Sequence, residues 1–186
     1  MGFNNITLYD FDKVEEHNLP NQNYEICDVG KFKVDAIAEK MKKYNDEGID
    51  VTKKIEECNA KSNLEGIVFL LTDTMKSRKE IYDRAIKNNP SIDLLIETRM
   101  DLRGGRIYVV DPKDREQTKM YEQTFYSDDE AEVSACGVSQ TVLPSALAIT
   151  SHAIWKLLNH INGEIVYNET ILDFSNEIVM TQKWGE

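Results

Sequence analysis

Gly66-Ile67-Val68-Phe69-Leu70-Leu71-Thr72-Asp73 is an unbroken apolar run that opens on a glycine and closes on an acid. A strand with one wet face alternates polar and apolar residues, whereas a continuous run of this length is the pattern of a strand covered on both faces, as in parallel sheets. After it, Ile81, Tyr82, Ala85 and Ile86 recur at helical spacing within Met75 to Asn88. The helix is expected to stop at Asn88-Asn89-Pro90, because proline pushes the residue before it out of the helical region. A further strand is expected over Asp93 to Glu97. On the N-terminal side, Val34, Ile37, Ala38, Met41 and Tyr44 fall at i, i+3, i+4, i+7 and i+10, which makes an amphipathic helix. A short strand, Ile6 to Asp10, precedes it, and a weaker one around Ile49 to Ile55 follows. The succession β-α-β-β-α-β with short links predicts an α/β fold built on an open sheet with a parallel core.

Toward the C-terminus the pattern changes. Gly104-Gly105, between Thr98-Arg99-Met100 and Ile107-Tyr108-Val109-Val110, reads as the turn of a hairpin, with glycine supplying a positive φ. From Pro112 to about Ser134 the chain is polar and is expected to be a surface crossover loop. Val138 to Ile161 is rich in small and apolar residues all round, the mark of a helix buried on most of its surface, with Pro144 in its first turn and Gly163 as its stop. Ile165-Val166-Tyr167, Ile171 to Phe174 and Ile178-Val179-Met180 read as antiparallel strands. There is no internal repeat, and residues 1–186 read as one domain.

Composition narrows the function classes. Of 186 residues, 22 are basic and 33 acidic, a net charge of −11, with 41% hydrophobic and 30% charged. This is a globular composition, and a chain of this size buries roughly 70% of its unfolded surface without disulfides or structural metal. The acidity disfavours nucleic-acid binding, which needs clustered Lys and Arg at phosphates. No apolar run approaches the roughly 20 residues of a membrane helix, and no signal segment is evident, so a cytoplasmic protein with no membrane partner is expected. Cys27, Cys58 and Cys136 form no CxxC pair, so reduced cysteines and no zinc are expected.

Three charged positions invite chemistry, each with a plainer alternative. Asp10 ends an early strand, where an acid accepts hydrogen bonds from ribose hydroxyls or simply closes a turn. Lys33 stands in the first turn of a helix, where a cation opposes the macrodipole unless an anion is bound; it is either a phosphate ligand or a solvated lysine. Asp73 follows the most buried strand, at the edge where open α/β sheets take ligands. It either holds Mg2+ against phosphate oxygens or caps the next helix.

Asp10-Phe11-Asp12-Lys13-Val14-Glu15-Glu16-His17-Asn18-Leu19-Pro20-Asn21-Gln22, followed by Val29-Gly30-Lys31-Phe32-Lys33-Val34, resembles the D-x-D-x-V-x-x-x-N-L-x-R-Q…G-x-x-K-V signature of the ThiF/MoeB/HesA-like family, which includes the ubiquitin-activating enzymes. Leu71-Thr72-Asp73-Thr74 with Arg78 is similar to the family's C-T-D-N-x-x-x-R segment. Arg99 to Val110, with its double glycine, is similar to the stretch after the fourth strand. Cys136 and Pro144 with the helix behind them resemble the catalytic-cysteine segment and a helix often used in dimerisation. The resemblance runs from about Ile6 to Trp184.

It implies a Rossmann-like open sheet, with a parallel core and antiparallel C-terminal strands, and ATP-dependent adenylation of the C-terminal carboxylate of a ubiquitin-like or sulfur-carrier protein. Asp10 would take the ribose, Lys33 and Arg78 the phosphates, and Asp73 the Mg2+. Asn18 and Gln22 would fix the loop or touch the nucleotide. Cys136 would accept an acyl group as a thioester, or is merely a small loop residue. The partner would be the carrier protein, with a homodimer or a heterodimer with a longer paralogue.

The sequence departs from the family pattern in three respects. None of the nine glycines forms a GxGxxG, so the first β-loop-α unit is expected to be missing, its phosphate loop either supplied by a partner or lost by truncation. Asn21 stands where the family has arginine, and a neutral amide cannot replace a bidentate cation at a nucleotide phosphate. The paired zinc motifs of many relatives are absent. The alternative to an enzyme is therefore a degenerate member serving as a dimerisation or binding scaffold. A nicotinamide dehydrogenase would need the same glycine-rich loop and ranks behind both.

Overall fold

A computed structural model of the chain describes residues 3–44, 48–59, 61–126 and 143–185. The chain forms two compact units, Met1–Cys58 and Asn59–Glu186.

In the first unit β1 (Asn5–Tyr9) pairs in parallel with β2 (Asp50–Lys54), Asn5 opposite Asp50 and Tyr9 opposite Lys54. Parallel strands cannot be joined by a tight turn, so the chain crosses over through α1 (Lys33–Tyr44). Val34, Ala36 and Ala38 of α1 are buried, as is Val14 from the segment after β1. Tyr44, which the periodicity places on the apolar stripe, is 91% exposed, and Ala36 is buried instead. Between β1 and α1 lie two 3₁₀ turns, Glu16–Asn18 and Ile26–Asp28, each closed by a side chain that reaches back. Asn18 Oδ1 accepts from Glu15 N at 2.9 Å, and Asp28 Oδ2 accepts from Glu25 N at 3.0 Å. These bonds satisfy donors that a short turn leaves orphaned.

The second unit is a five-stranded sheet in the order β3-β4-β5-β6-β7. β3 (Gly66–Leu70) is parallel to β4 (Ile92–Met100), while β5 (Gly104–Val110), β6 (Glu169–Asp173) and β7 (Ile178–Gln182) follow antiparallel. The β3–β4 link is α2 (Met75–Ile81), which runs on into one π turn, Tyr82–Ile86, before Asn88 turns left-handed at φ 60°. The core lies between the sheet and α4 (Leu143–Ile161): Leu94, Ile96, Ile107, Val109 and Leu172 meet Ile149, Ala153 and Leu157. The parallel core and antiparallel C-terminal strands are those expected from the sequence.

Three expectations are corrected. The double glycine is not the hairpin turn: Gly104 and Gly105 begin β5, neither has a positive φ, and residues 101–103 make the turn. Glycine is needed there for close approach. A Cβ on Gly104 would lie 2.2 Å from Leu172 O, and one on Gly105 2.3 Å from Arg99 O and 2.6 Å from Ile149 Cδ1. The stretch after Pro112 is not all loop, because α3 (Arg115–Glu122) forms within it. Asp114 starts that helix, Oδ1 accepting from Glu116 N at 2.8 Å and Gln117 N at 3.1 Å, and the buried Tyr121 anchors it. Finally, Ile165 to Tyr167 is no strand; pairing with β5 starts at Glu169, with Ile165 left exposed.

Candidate functional site

Residues named from the sequence fall into both units. In the first, Asp10 follows β1 and folds back on itself: Oδ1 accepts from Asp12 N at 2.8 Å, a local turn that occupies one carboxylate oxygen. Lys33 opens α1, and its Nζ donates to Asp12 Oδ2 at 2.9 Å, with the lysine side chain 15% exposed. The anion that a cation in the first helical turn calls for is thus supplied by the protein's own Asp12, so the macrodipole argument does not by itself require phosphate.

Asn18 is buried and spent on the loop: besides its cap, its carbonyl accepts from Asn21 N at 3.2 Å and Gln22 N at 2.8 Å. Of the two roles open to Asn18, loop fixing is the one its contacts show. Asn21 Oδ1 is buried with no hydrogen-bond partner. Tyr24 lies in this acidic surround, and burial, then the charges of Asp10, Asp28 and Asp12, push its hydroxyl up to about 12. Asp28 moves the other way, held below the usual carboxylate range first by the Glu25 N–H and then by Lys31 and Lys40, against the opposing effect of burial.

In the second unit the loop from β3 to α2 carries Thr72, Asp73 and Thr74. The helix cap is Thr74, whose Oγ1 accepts from Ser77 N at 3.1 Å, so the capping alternative for Asp73 does not hold. Asp73 is exposed just beyond the carboxyl end of β3. Arg78, one turn into α2, is 4% exposed and points inward. Its Nη1 donates to Glu97 Oε1 at 2.5 Å and Thr98 O at 3.1 Å, and its Nη2 to Thr72 O.

Glu97, on β4 and 0% exposed, is the centre of a cluster that sequence reasoning missed. It also accepts from Arg99 Nε at 2.6 Å and Nη2 at 3.0 Å, and from the Tyr121 hydroxyl. Arg99 completes its fork on Thr124 O at 2.7 Å and Oγ1 at 2.9 Å, and lies over the Tyr108 ring at 4.4 Å. Burial works against the Arg99 charge, but the Glu97 contact outweighs it and the pKa is raised; burial, then Glu97, also raises that of Tyr121. The available signal was Glu97 and Arg99 two apart, on one face of a strand inside an apolar run. Around this cluster Arg78 Nε and Thr72 Oγ1 are buried without a hydrogen-bond partner.

Among the described residues no three His, Cys, Asp or Glu side chains gather to hold a metal, so a cation at Asp73 would need oxygens from its nucleotide. Cys136 lies outside the described residues. No helix among them is long and apolar enough to cross a membrane.

Parallel strands continued by antiparallel ones in an open sheet define a Rossmann-like α/β protein. The chain belongs to the ThiF family, whose model matches residues 1–183. Among solved structures it is similar to PaaA, at 18% identity and TM-score 0.65 over 96% of this chain and 64% of that one. It is likewise similar to Escherichia coli MccB with ATP, at 16% and 0.68 over 98% of this chain and 57% of that one. The microcin C7 biosynthetic enzyme MccB in complex with N-formylated MccA gives 15% and 0.68 over 98% and 58%. At these identities the likeness is one of fold, and the chain spans 57–64% of the length of these three structures. No curated protein matches it.

Proposed function

We propose that this chain acts in the ATP-dependent adenylation of a carboxylate, that of the C-terminus of a ubiquitin-like or sulfur-carrier protein. The observation that carries the reading is the ThiF match, which spans both compact units and takes in Asp10, Lys33 and Asp73. On that ground we treat the two units as one domain. MccB structures that hold ATP, or a complex with MccA, support a nucleotide and a peptide or protein substrate.

Asp10, with one carboxylate oxygen outside its turn, takes ribose hydroxyls, and Lys33 serves phosphate oxygens by exchanging Asp12 for them. Asn21 and Gln22 bring amides to the same segment, and the orphaned Asn21 Oδ1 fits a role completed by a ligand. Asp73 holds Mg2+, which when bound neutralises charge on the phosphates. Arg78 adds positive charge behind the Asp73 loop, and the Cys136 thiolate attacks the acyl carbonyl of the adenylate, forming a thioester as the acyl–phosphate bond breaks and AMP leaves. The apolar Leu147, Trp155 and Ile161 exposed on α4 support pairing with a second copy or a longer paralogue. The exposed Cys27 thiol suits a cytoplasmic setting.

A second reading, a scaffold without catalysis, is favoured by Lys33 and Arg78 both being engaged by the protein's own carboxylates. Pyrophosphate exchange with Mg-ATP, with and without carrier proteins ending in Gly-Gly, separates the two. Exchange supports the enzyme, and none in any mixture supports the scaffold. In the enzyme Asp73→Asn lowers exchange by about 100-fold or more while thermal unfolding is unchanged. Undiminished exchange in that variant removes the metal role.

A further inference from the structure

We propose that Glu97 is a positioning residue: through Arg78 it sets the Thr72–Asp73 loop in place, so that the work of Arg78 is done on the protein's own backbone. The inference rests on the reading of Asp73 as the metal-holding carboxylate, but its geometry is independent of that reading. Arg78 has five N–H donors in a rigid plane. Two go to the end of β4, where Glu97 Oε1 and Thr98 O accept from Nη1. One goes to the loop after β3, where the carbonyl of Thr72, the residue before Asp73, accepts from Nη2. The guanidinium therefore ties the segment carrying Asp73 to the adjacent parallel strand, and its plane permits the two contacts in only one orientation.

Glu97 holds that orientation. It is fully buried, and its second oxygen is taken by Arg99 and Tyr121, so it cannot swing toward solvent and carry Arg78 with it. Arg78 is itself buried, which suits a brace better than a group that meets incoming phosphate directly. The network is saturated on its β4 side and unsaturated on its loop side, where Arg78 Nε and Thr72 Oγ1 have no partner. Unspent capacity of that kind belongs at a place that gains a partner when the site fills. The neighbouring Arg99 shares Glu97 but reaches the loop only through it, its remaining donors going to Thr124.

The test measures backbone amide exchange over residues 71–77 and over β4 in the whole chain, for Arg78→Lys, Glu97→Gln and Arg99→Lys. Arg78→Lys keeps the buried charge and loses the fork, so it remains informative where Glu97→Gln does not fold. Exchange in the 71–77 segment is expected to rise about ten-fold or more in Arg78→Lys and Glu97→Gln, with β4 still protected, and to rise clearly less in Arg99→Lys, where Tyr121 and Arg78 still hold Glu97. In pyrophosphate exchange the half-saturating Mg2+ concentration should rise about 10- to 100-fold in the first two, the usual effect of losing an outer support of a metal ligand. Unaltered loop exchange in folded Arg78→Lys, or equal loosening in Arg99→Lys, overturns the proposal. A wild-type chain with no pyrophosphate exchange removes the adenylation reading alone, because the amide measurement still decides the brace.

Discussion

Glu97 draws two guanidinium groups and a phenol into a place where water cannot reach. A buried carboxylate in that setting is costly unless every lone pair is used, and taking it away strands two cations. Glu97→Ala is therefore expected to destabilise the protein by about 3–5 kcal/mol, as read from the urea unfolding midpoint. Asp28 gives a pH-dependent counterpart. Its folded pKa is depressed, so its contribution is present above the unfolded value of about 3.9 and is lost as pH falls through the folded value. The difference in midpoint between wild type and Asp28→Asn should be measurable at neutral pH and shrink as pH falls below the unfolded carboxylate value of about 3.9. A difference that persists undiminished in acid would assign the effect to packing.

At the level of elements, two glycines of similar appearance do different work. Gly105 allows β5 to pass under Arg99 O and Ile149 Cδ1, and an added methyl there forces β5 or α4 apart. Gly163 ends α4 with φ +70° and has nothing within 4 Å of an added Cβ, so it answers only for its backbone conformation. Gly105→Ala should cost about 3 kcal/mol or more by overpacking and Gly163→Ala about 1 kcal/mol by left-handed strain, a gap visible in thermal unfolding. Thr74 decides where α2 starts, and Thr74→Ala is expected to cost about 1 kcal/mol through the lost cap on Ser77 N. That cap leaves Asp73 available for other work.

Across the whole molecule, burial raises the pKa of Tyr9, Tyr24, Tyr82, Tyr108 and Tyr121. A tyrosine whose folded pKa lies above the unfolded value of about 10 contributes fully below that pH and loses its contribution as pH climbs toward the folded value. Stability should therefore fall steeply above pH 10, and Tyr24, at about 12, should ionise in spectrophotometric titration well after an exposed tyrosine. Tyr24→Phe should remove that part of the alkaline loss. An early, single-step tyrosine titration would contradict the burial on which this rests.

The α/β architecture was legible because periodicity is a local property. The run from Gly66, the apolar spacing from Val34 and the proline after Asn89 each report on their own few residues, and each gave its element. Motif spacing likewise carries the family signature, because it too is written along the chain. Tertiary structure alone decided what the charged side chains do, because a carboxylate looks the same in sequence whether it faces water or two arginines. Asp12 answering Lys33, and Glu97 gathering Arg78 and Tyr121 beside Arg99, join residues that the chain must fold to bring together. The same holds for α3, whose polar sequence becomes a helix by burying Tyr121 beside Glu97, a partner 24 positions away.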